Sequence, residues 1–284
     1  MVSLLPDITG SFSTPAGGNP TGAMVEAAYA HHGLDVRYVN CDVAPERLAD
    51  AVAGARAMGW IGFNCSLPHK VAVIDLIDGL NRSAELIGAV NCVVLTEGRM
   101  LGHNTDGQGF LGSLRTVADP AGQHVLLLGA GGAARAIAVE LALAGAAHVT
   151  VANRSVDKAV QVAALVADHT ATTSDVLAWD GRLTPPAGTT VVVNATSLGL
   201  PGSGDVPFDV GPDAGHLVVC DVIPNPPDTD FLQRARAAGA TTLEGRGMLI
   251  DQAAVNIALW TGVDPDRSVM GSALDEAIGG WEHP

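Results

Sequence analysis

LLLGAGGAARA, residues 126–136, joins a run of leucines to a cluster of glycines and then to alanines. Gly129, Gly131 and Ala134 stand in a G-x-G-x-x-A frame. HVLLLG ahead of it reads as a buried strand, AGGAARAIAVELALA as a helix ended by Gly145, and HVTVAN as a second strand. Small residues are required there for physical reasons. The first lets the chain turn, the second lets backbone approach a pyrophosphate, and the third lets helix pack closely on strand. The helix start then offers unpaired N–H groups to phosphate oxygens. A bare glycine frame says little, because glycine is common at strand ends. The complete strand–turn–helix–strand context specifies a dinucleotide site built on Gly129, Ala130, Gly131, Gly132 and Ala133.

The end of the second strand selects the dinucleotide. An NAD-specific fold usually places Asp or Glu there to hold the ribose hydroxyls. Here the residues are Asn153, Arg154 and Ser155, with Lys158 one turn further on. A guanidinium and an ammonium suit a 2′-phosphate, so NADP (NADPH) is the expected cofactor. The plainer reading is a helix start with solvated cations.

Working outward, short apolar runs alternate with amphipathic ones throughout, which predicts an α/β protein with parallel strands. After the glycine unit come a helix in SVDKAVQVAALVA, strands in TTVVVNA and HLVVCDV, and a helix in TDFLQRARAAG. Before it, MVEAAYAHHGL reads as the first helix, and Pro45 and Gly59 bracket a second in ERLADAVAGARAM. WIGFNCSL then reads as a strand, PHKVAVIDLID as a helix and AVNCVVL as a strand. EGRM reads as a hairpin turn and LGHNTDGQG as a loop entering the helix FLGSLRTVA. Helices are expected over 247–261 and near the C-terminus. The chain shows no internal repeat and no low-complexity segment.

At 284 residues with 48% apolar composition, the chain can bury a large core. Its net charge of −15 repels phosphodiester backbones, so no nucleic-acid partner is expected. Cys41, Cys65, Cys92 and Cys220 lie far apart with no CxxC pair. Spacing alone leaves disulfides open, but free thiols of a reducing cytosol are expected. MVSLLPDITGSFS lacks the basic n-region and apolar core of a typical signal peptide, and no window approaches ~18 uninterrupted apolar residues. A cytoplasmic protein without membrane partner is the expectation. The histidines are scattered, without HExxH or a ligand cluster, so no metal is expected. Neither a Walker sequence nor a G-x-S-x-G elbow is present.

Three polar clusters precede the nucleotide unit: GFNCSLPHK at 62–70, GAVN at 88–91 and NTDG at 104–107. Lys70 falls in the first turn of an expected helix, where the macrodipole disfavours a cation. That placement invites a functional reading, although a long stem can also carry the charge to solvent. Asp106 begins the next helix, and Thr105 or Asp106 could equally serve as an N-cap.

GFNCSLPHK, GAVN, GHNTDG, GAGGAARA, NRSVDK, NATSLG and GMLIDQAA occur here in the order and approximate spacing of shikimate dehydrogenases, which the chain resembles from about residue 60 onward. The resemblance implies a substrate domain over 1–105 plus 246–284, a Rossmann-type doubly wound NADP domain over 106–245, and a cleft at their junction. It implies Lys70 and Asp106 as the catalytic pair, and Ser66, Asn91 and Gln252 as holders of the substrate's ring hydroxyls. It adds Asn194, Ala195, Thr196, Val222 and Gly245 to the cofactor set, with Asn153, Arg154 and Lys158 around the adenosine phosphate. The chemistry implied is hydride transfer between nicotinamide and a ring carbon of shikimate or a close cyclic polyol, within the chorismate route to aromatic amino acids. During reduction a protonated Lys70 can neutralise the growing oxyanion and supply its proton. A monomer or homodimer is expected.

Two stretches depart from the family pattern. Its S-x-S-P motif binds the shikimate carboxylate through two hydroxyls. In SFSTPAGGNPTGAM (11–24), counting back from the first helix makes Pro20 the matching proline, so Gly17 and Asn19 take the serine positions and Thr21 follows. Ser11 and Ser13 are the hydroxyls if the loop has gained residues after them. Further on, DVIPNPPDTDF has Pro224 where the family presents a tyrosine. Proline offers no hydroxyl donor. Shikimate leads, while quinate, aminoshikimate and uncharged cyclitol ketones stay open, the last favoured if no hydroxyl pair survives. A reading from another class is an NADP-binding sensor without turnover.

Overall fold

The computed structural model describes residues 5–279. The outer ends of the expected substrate domain, 1–4 and 280–284, lie outside them. The chain divides into two compact units, one running to Thr105 and resuming at Gln252, the other spanning Asp106–Asp251.

The first unit opens with β1 (Asp7–Ser13), α1 (Thr21–His31), β2 (Val36–Asp42), α2 (Leu48–Ala57) and β3 (Gly62–Cys65). α3 (His69–Ala72), β4 (Gly79–Leu80), α4 (Arg82–Ile87), β5 (Cys92–Thr96) and β6 (Arg99–His103) follow. Its six-stranded sheet has the order β2-β1-β3-β5-β6-β4. The sheet is mixed: β5 runs antiparallel to both β3 and β6, and the β5–β6 pair is joined by the hairpin expected at EGRM. The cause is local. Glu97 and Gly98 both take positive φ (52° and 77°), the geometry of a two-residue hairpin turn. That hairpin also turns the first part of the expected LGHNTDGQG loop into strand, with Cys92 opposite His103. Phe12, Trp60 and Phe63 anchor the core of this unit, Phe12 lying 4.7 Å from Phe63 and 5.7 Å from Trp60.

β1 and β2 were not anticipated from sequence. Gly10 interrupts the apolar pattern of β1 because a Cβ there would strike the Val39 carbonyl and the Trp60 ring. The long helix expected in PHKVAVIDLID is a single α-turn followed by a 3₁₀ turn over Val73–Leu76. β-branched Val71, Val73 and Ile74 weaken a helix there. Lys70 therefore sits in a one-turn helix, too short to carry the macrodipole argument.

The second unit holds α5 (Asp106–Leu114), β7 (His124–Leu128), α6 (Gly132–Leu143), β8 (His148–Asn153), α7 (Val156–His169) and β9 (Thr173–Ala178). β10 (Val191–Asn194), β11 (Val218–Asp221), α8 (Asp230–Ala237) and β12 (Thr241–Leu243) complete its sheet. All strands are parallel, in the order β12-β11-β10-β7-β8-β9. Counted within the unit this is 3-2-1-4-5-6 from the β9 edge, the doubly wound dinucleotide-binding order. Strand alternation sorts the core to both faces. Val125, Leu127, Val149, Val151, Val191 and Val193 join α6 and α7 on one side. Leu126, Leu128, Val192 and Val219 meet Phe208, Phe231 and Leu232 on the other. Each such side chain contributes roughly 1.5–3 kcal/mol by burial.

α9 (Gly245–Thr261) runs unbroken through the point where the second unit ends and the first resumes, and α10 (Arg267–Gly279) packs on α1. Among the described residues, no helix is long and apolar enough to cross a membrane.

Candidate functional site

In the second unit, the turn after β7 makes a cradle. Gly129 has φ +109°, and a Cβ there would lie 2.9 Å from the Ala195 carbonyl. Gly131 caps α6 without a side-chain bond to the first turn, and a Cβ on Gly131 or Gly132 would meet nothing within 4 Å. The helix amides are thus left for an anion. Beside them lies a cavity of about 610 Å³, lined by Gly129, Ala130, Gly131, Asn153, Arg154, Lys158, Ala195 and Thr196 from the expected cofactor set. Ser155 caps α7, again with no side-chain bond to the helix, and Asn153 Nδ2 steadies that turn by donating to the Ser155 carbonyl at 2.9 Å. Cations from the β8–α7 turn, with open helix amides, fit a nucleotide carrying a 2′-phosphate.

The other expected cofactor residues do not line this cavity. Ala133 and Gly132 lie in the first turn of α6. Asn194 is fully buried and shapes the lining from beneath. Its Oδ1 accepts from Thr196 N at 3.2 Å and Oγ1 at 2.7 Å, and its Nδ2 donates to the Leu198 carbonyl and to Asp221 Oδ1, each at 3.0 Å. Burial raises the Asp221 carboxyl's pKa, against the pull of its bonds from Thr229, Ile223 and Asn194. Val222 donates its N–H to the Asn194 carbonyl, and Gly245 lets the start of α9 press against the backbone of Val222 and Ile223. Trp179 and Ser197 also line the cavity and were missed. Trp179 follows β9, whose half-exposed TSDVLA gives no strand signal.

In the first unit, the polar residues form one connected network. Tyr38 donates to Asn64 Oδ1 at 2.9 Å, and Asn64 Nδ2 donates to the Asn91 carbonyl at 2.9 Å. Asn91 bonds Thr105 and Gln252, and Thr105 bonds Asn256. The hydroxyl of Thr105 is thereby engaged within this network. Lys70 is anchored through its carbonyl, which accepts the Val90 N–H at 2.7 Å, one residue before Asn91. Its ammonium also lies close enough to Cys65 to offset part of the rise that burial imposes on that thiol, whose pKa is about 12. Ser66 is tied to β1 by its N–H to the Phe12 carbonyl at 3.0 Å. Asp106 follows Thr105 directly and opens α5.

The N-terminal loop folds onto the same unit. Ser11 lies directly opposite Asn40 and donates to its Oδ1 at 2.7 Å. Asn19 Nδ2 reaches Ser11 Oγ at 3.4 Å, while Asn19 Oδ1 accepts the Thr21 N–H at 3.0 Å. Ser11 from one alternative for the loop and Asn19 and Thr21 from the other are therefore parts of one cluster. Ser13 Oγ is buried without a hydrogen-bond partner. Asn40, Tyr38, Asn64 and Asn256 were missed. Asn256 had a signal, standing one helical turn after Gln252, whereas Asn40 becomes visible only through the β1–β2 register. Among the described residues, no group of three or more His, Cys, Asp or Glu is placed to hold a metal ion.

Comparison with known proteins bears on both halves. Residues 14–93 match the shikimate dehydrogenase substrate binding domain, 113–196 the shikimate/quinate 5-dehydrogenase domain, and 245–274 the shikimate 5′-dehydrogenase C-terminal domain. The shikimate dehydrogenase (NADP⁺) of Methanopyrus kandleri is 41% identical over 96% of each chain. The ligand-free crystal structure of 5-ketofructose reductase from Gluconobacter sp. strain CHM43 is 56% identical, with TM-score 0.94 over 96% of this chain and 99% of that one. Shikimate 5-dehydrogenase from Thermus thermophilus, solved with NADP(H) and shikimate, is 32% identical, with TM-score 0.82 over 95% of this chain and 99% of that one.

Proposed function

The chain belongs to the shikimate dehydrogenase family, as an NADP-dependent oxidoreductase, and from that premise we propose that its substrate is an uncharged polyhydroxylated ketone of the 5-ketofructose kind. The observation that carries this reading is the Ser11–Asn40 bond. A shikimate-type substrate brings a carboxylate, which must be met by donors. The one proton of Ser11 goes to Asn40, and Asn19 turns its oxygen to the Thr21 N–H. Where the family pattern meets a carboxylate with two hydroxyls, Ser11 is committed to Asn40 and only Ser13 keeps a buried hydroxyl without a partner, so the loop suits a neutral oxygen better than a carboxylate. The 56% identity to a 5-ketofructose reductase supports the same choice. Shikimate and 3-dehydroshikimate form the second reading, favoured by curated relatives named shikimate dehydrogenase at 41% identity.

When bound, NADPH supplies the hydride for the carbonyl carbon. Lys70 gives a proton to the carbonyl oxygen as negative charge grows there, and takes it back in oxidation. Asp106 is the second catalytic residue of this reading. Ser66, Asn91 and Gln252 hold ring oxygens. Arg154 and Lys158 receive the 2′-phosphate, and the α6 amides receive the pyrophosphate. A cytoplasmic protein, monomeric or homodimeric, belongs to the same reading. Four free thiols suit a reducing compartment.

The test is NADPH oxidation by the purified protein with 5-ketofructose and with 3-dehydroshikimate, and NADP reduction with shikimate, quinate and aminoshikimate. The neutral ketone should lead in kcat/KM by about 100-fold, the scale set by a mismatched polar group. A lead of that size for 3-dehydroshikimate would move the chain to the second reading. Tight NADP binding with no turnover on any of them would leave a binding protein.

A further inference from the structure

The backbone N–H of Thr105 reaches Asn91 Oδ1 at 2.7 Å. A backbone amide only donates, so this contact settles which end of the Asn91 amide is oxygen. Every later bond then has one direction. Asn91 Nδ2 donates to Thr105 Oγ1 at 2.9 Å and to Gln252 Oε1 at 3.4 Å. With Gln252 Oε1 facing an N–H of Asn91, the Asn256 atom beside it is Nδ2, so Asn256 Oδ1 faces Thr105. The Thr105 hydroxyl, also 3.2 Å from Asn91 Oδ1, gives its proton to Asn256 Oδ1 at the shorter 2.7 Å. Asn256 is left with Nδ2 toward Gln252, and donates to Oε1 at 3.3 Å. Gln252 Oε1 therefore takes two N–H donors, and Nε2 is the end of the side chain outside this network.

We propose that Asn256 is a positioning residue for substrate recognition, holding Gln252 so that it offers N–H groups to an oxygen on the substrate. The inference rests on Gln252 contacting the substrate, as proposed above. Residues 252 and 256 share one face of α9, a turn apart. Asn91, Thr105 and Asn256 are almost wholly buried. Turning the Gln252 amide around would set its N–H groups against those of Asn91 and Asn256 with little water to relieve them. Held as it is, Gln252 Nε2 donates to a hydroxyl or carbonyl oxygen and disfavours an ammonium substituent, which only donates. The residue thus selects a class of substrate, oxygen-substituted over amino-substituted at that ring position.

Asn256→Asp tests this with little change of shape. The carboxylate still accepts from Thr105 but faces Gln252 with oxygen, so the Gln252 amide turns. With whichever ketone the enzyme reduces, KM should rise about tenfold, while kcat and the KM for NADPH change less than about twofold. In a Gln252→Ala background the same substitution should add no further rise. An unchanged ketone KM, or an equal rise in both backgrounds, would overturn the proposal. If Gln252→Ala alone leaves KM unchanged, the substrate contact itself is wrong, which is a separate failure. The unmutated protein offers a check independent of mutant folding. In amide-resolved NMR the Asn256 side-chain NH₂ should exchange slowly, and the Gln252 NH₂ should shift on adding ketone with NADP. The reverse pattern would overturn the assignment.

Discussion

Ser11 and Asn40 face one another across the β1–β2 ladder, and the serine hydroxyl donates to Asn40 Oδ1 at 2.7 Å. Asn40 also lies beneath the start of α1, where a Cβ on Gly22 would come 3.2 Å from its Nδ2. The amide thus commits the one proton of Ser11 and joins strand, loop and helix.

Asn40→Ala should release that proton. The expected outcome is a narrowing, by roughly tenfold, of the kcat/KM ratio between 5-ketofructose and 3-dehydroshikimate, the worth of about one hydrogen bond to a charged group. Steady-state kinetics on both ketones checks it. A ratio that stays put would show that Ser11 does not restrain carboxylate binding.

Arg154 and Lys158 line the nucleotide cavity but are exposed, so their attraction for a phosphate is shared with water and salt. Arg154→Ala should raise the KM for NADPH by about tenfold and leave that for NADH within about twofold, with Lys158→Ala giving a smaller change in the same direction. The NADPH/NADH ratio of kcat/KM at two salt concentrations reads this out, and the preference should weaken as salt rises.

How far the sequence carried the fold differs between the two units. β7, α6, β8 and β10 were legible because fully buried parallel strands leave unbroken runs such as HVLLL and VVVN, punctuated by glycine. β9 and β12 at the edges of the same sheet carry polar, half-exposed residues and gave no such run. In the first unit Gly10 and the polar side chains of β1 and β2 hid the strands. The glycine cradle and the Arg154 turn were readable because their residues are near in sequence. The Ser11–Asn40 and Asn91–Gln252 contacts join residues 29 and 161 positions apart, so nothing short of the strand register and the return of α9 reveals them.

Burial pushes the Cys65 thiol up to about 12, with Lys70 drawing it partly back, and raises Cys92 and Cys220 as well. Cys41 is raised less and remains partly exposed. At pH 8 the thiolate fraction of Cys65 is on the order of 1 in 10⁴, and the thiolate is the reactive form. Iodoacetamide under native conditions should therefore label Cys41 well ahead of the other three, as read by peptide mass spectrometry. The sign for stability follows. A thiol whose folded pKa is raised stabilises the fold fully below its unfolded pKa, and that contribution is lost as pH rises toward 12. Early labelling of Cys65 at pH 8 would contradict its burial.

Lys70 and Asp106 are open to a sharper separation of roles. Lys70→Ala and Asp106→Asn should each lower kcat by about 10²-fold or more, while the KM for NADPH changes less than about threefold. Lys70→Arg distinguishes charge from proton transfer. A guanidinium keeps the positive charge that steadies an oxyanion, but it does not give up a proton at working pH. If proton transfer is the main contribution, Lys70→Arg should be nearly as slow as Lys70→Ala in both directions. If charge alone suffices, reduction should recover toward the unmutated rate. Circular dichroism and thermal midpoints establish that each variant is folded before rates are compared. A folded Lys70→Ala enzyme with near-normal turnover would remove that lysine from the chemistry.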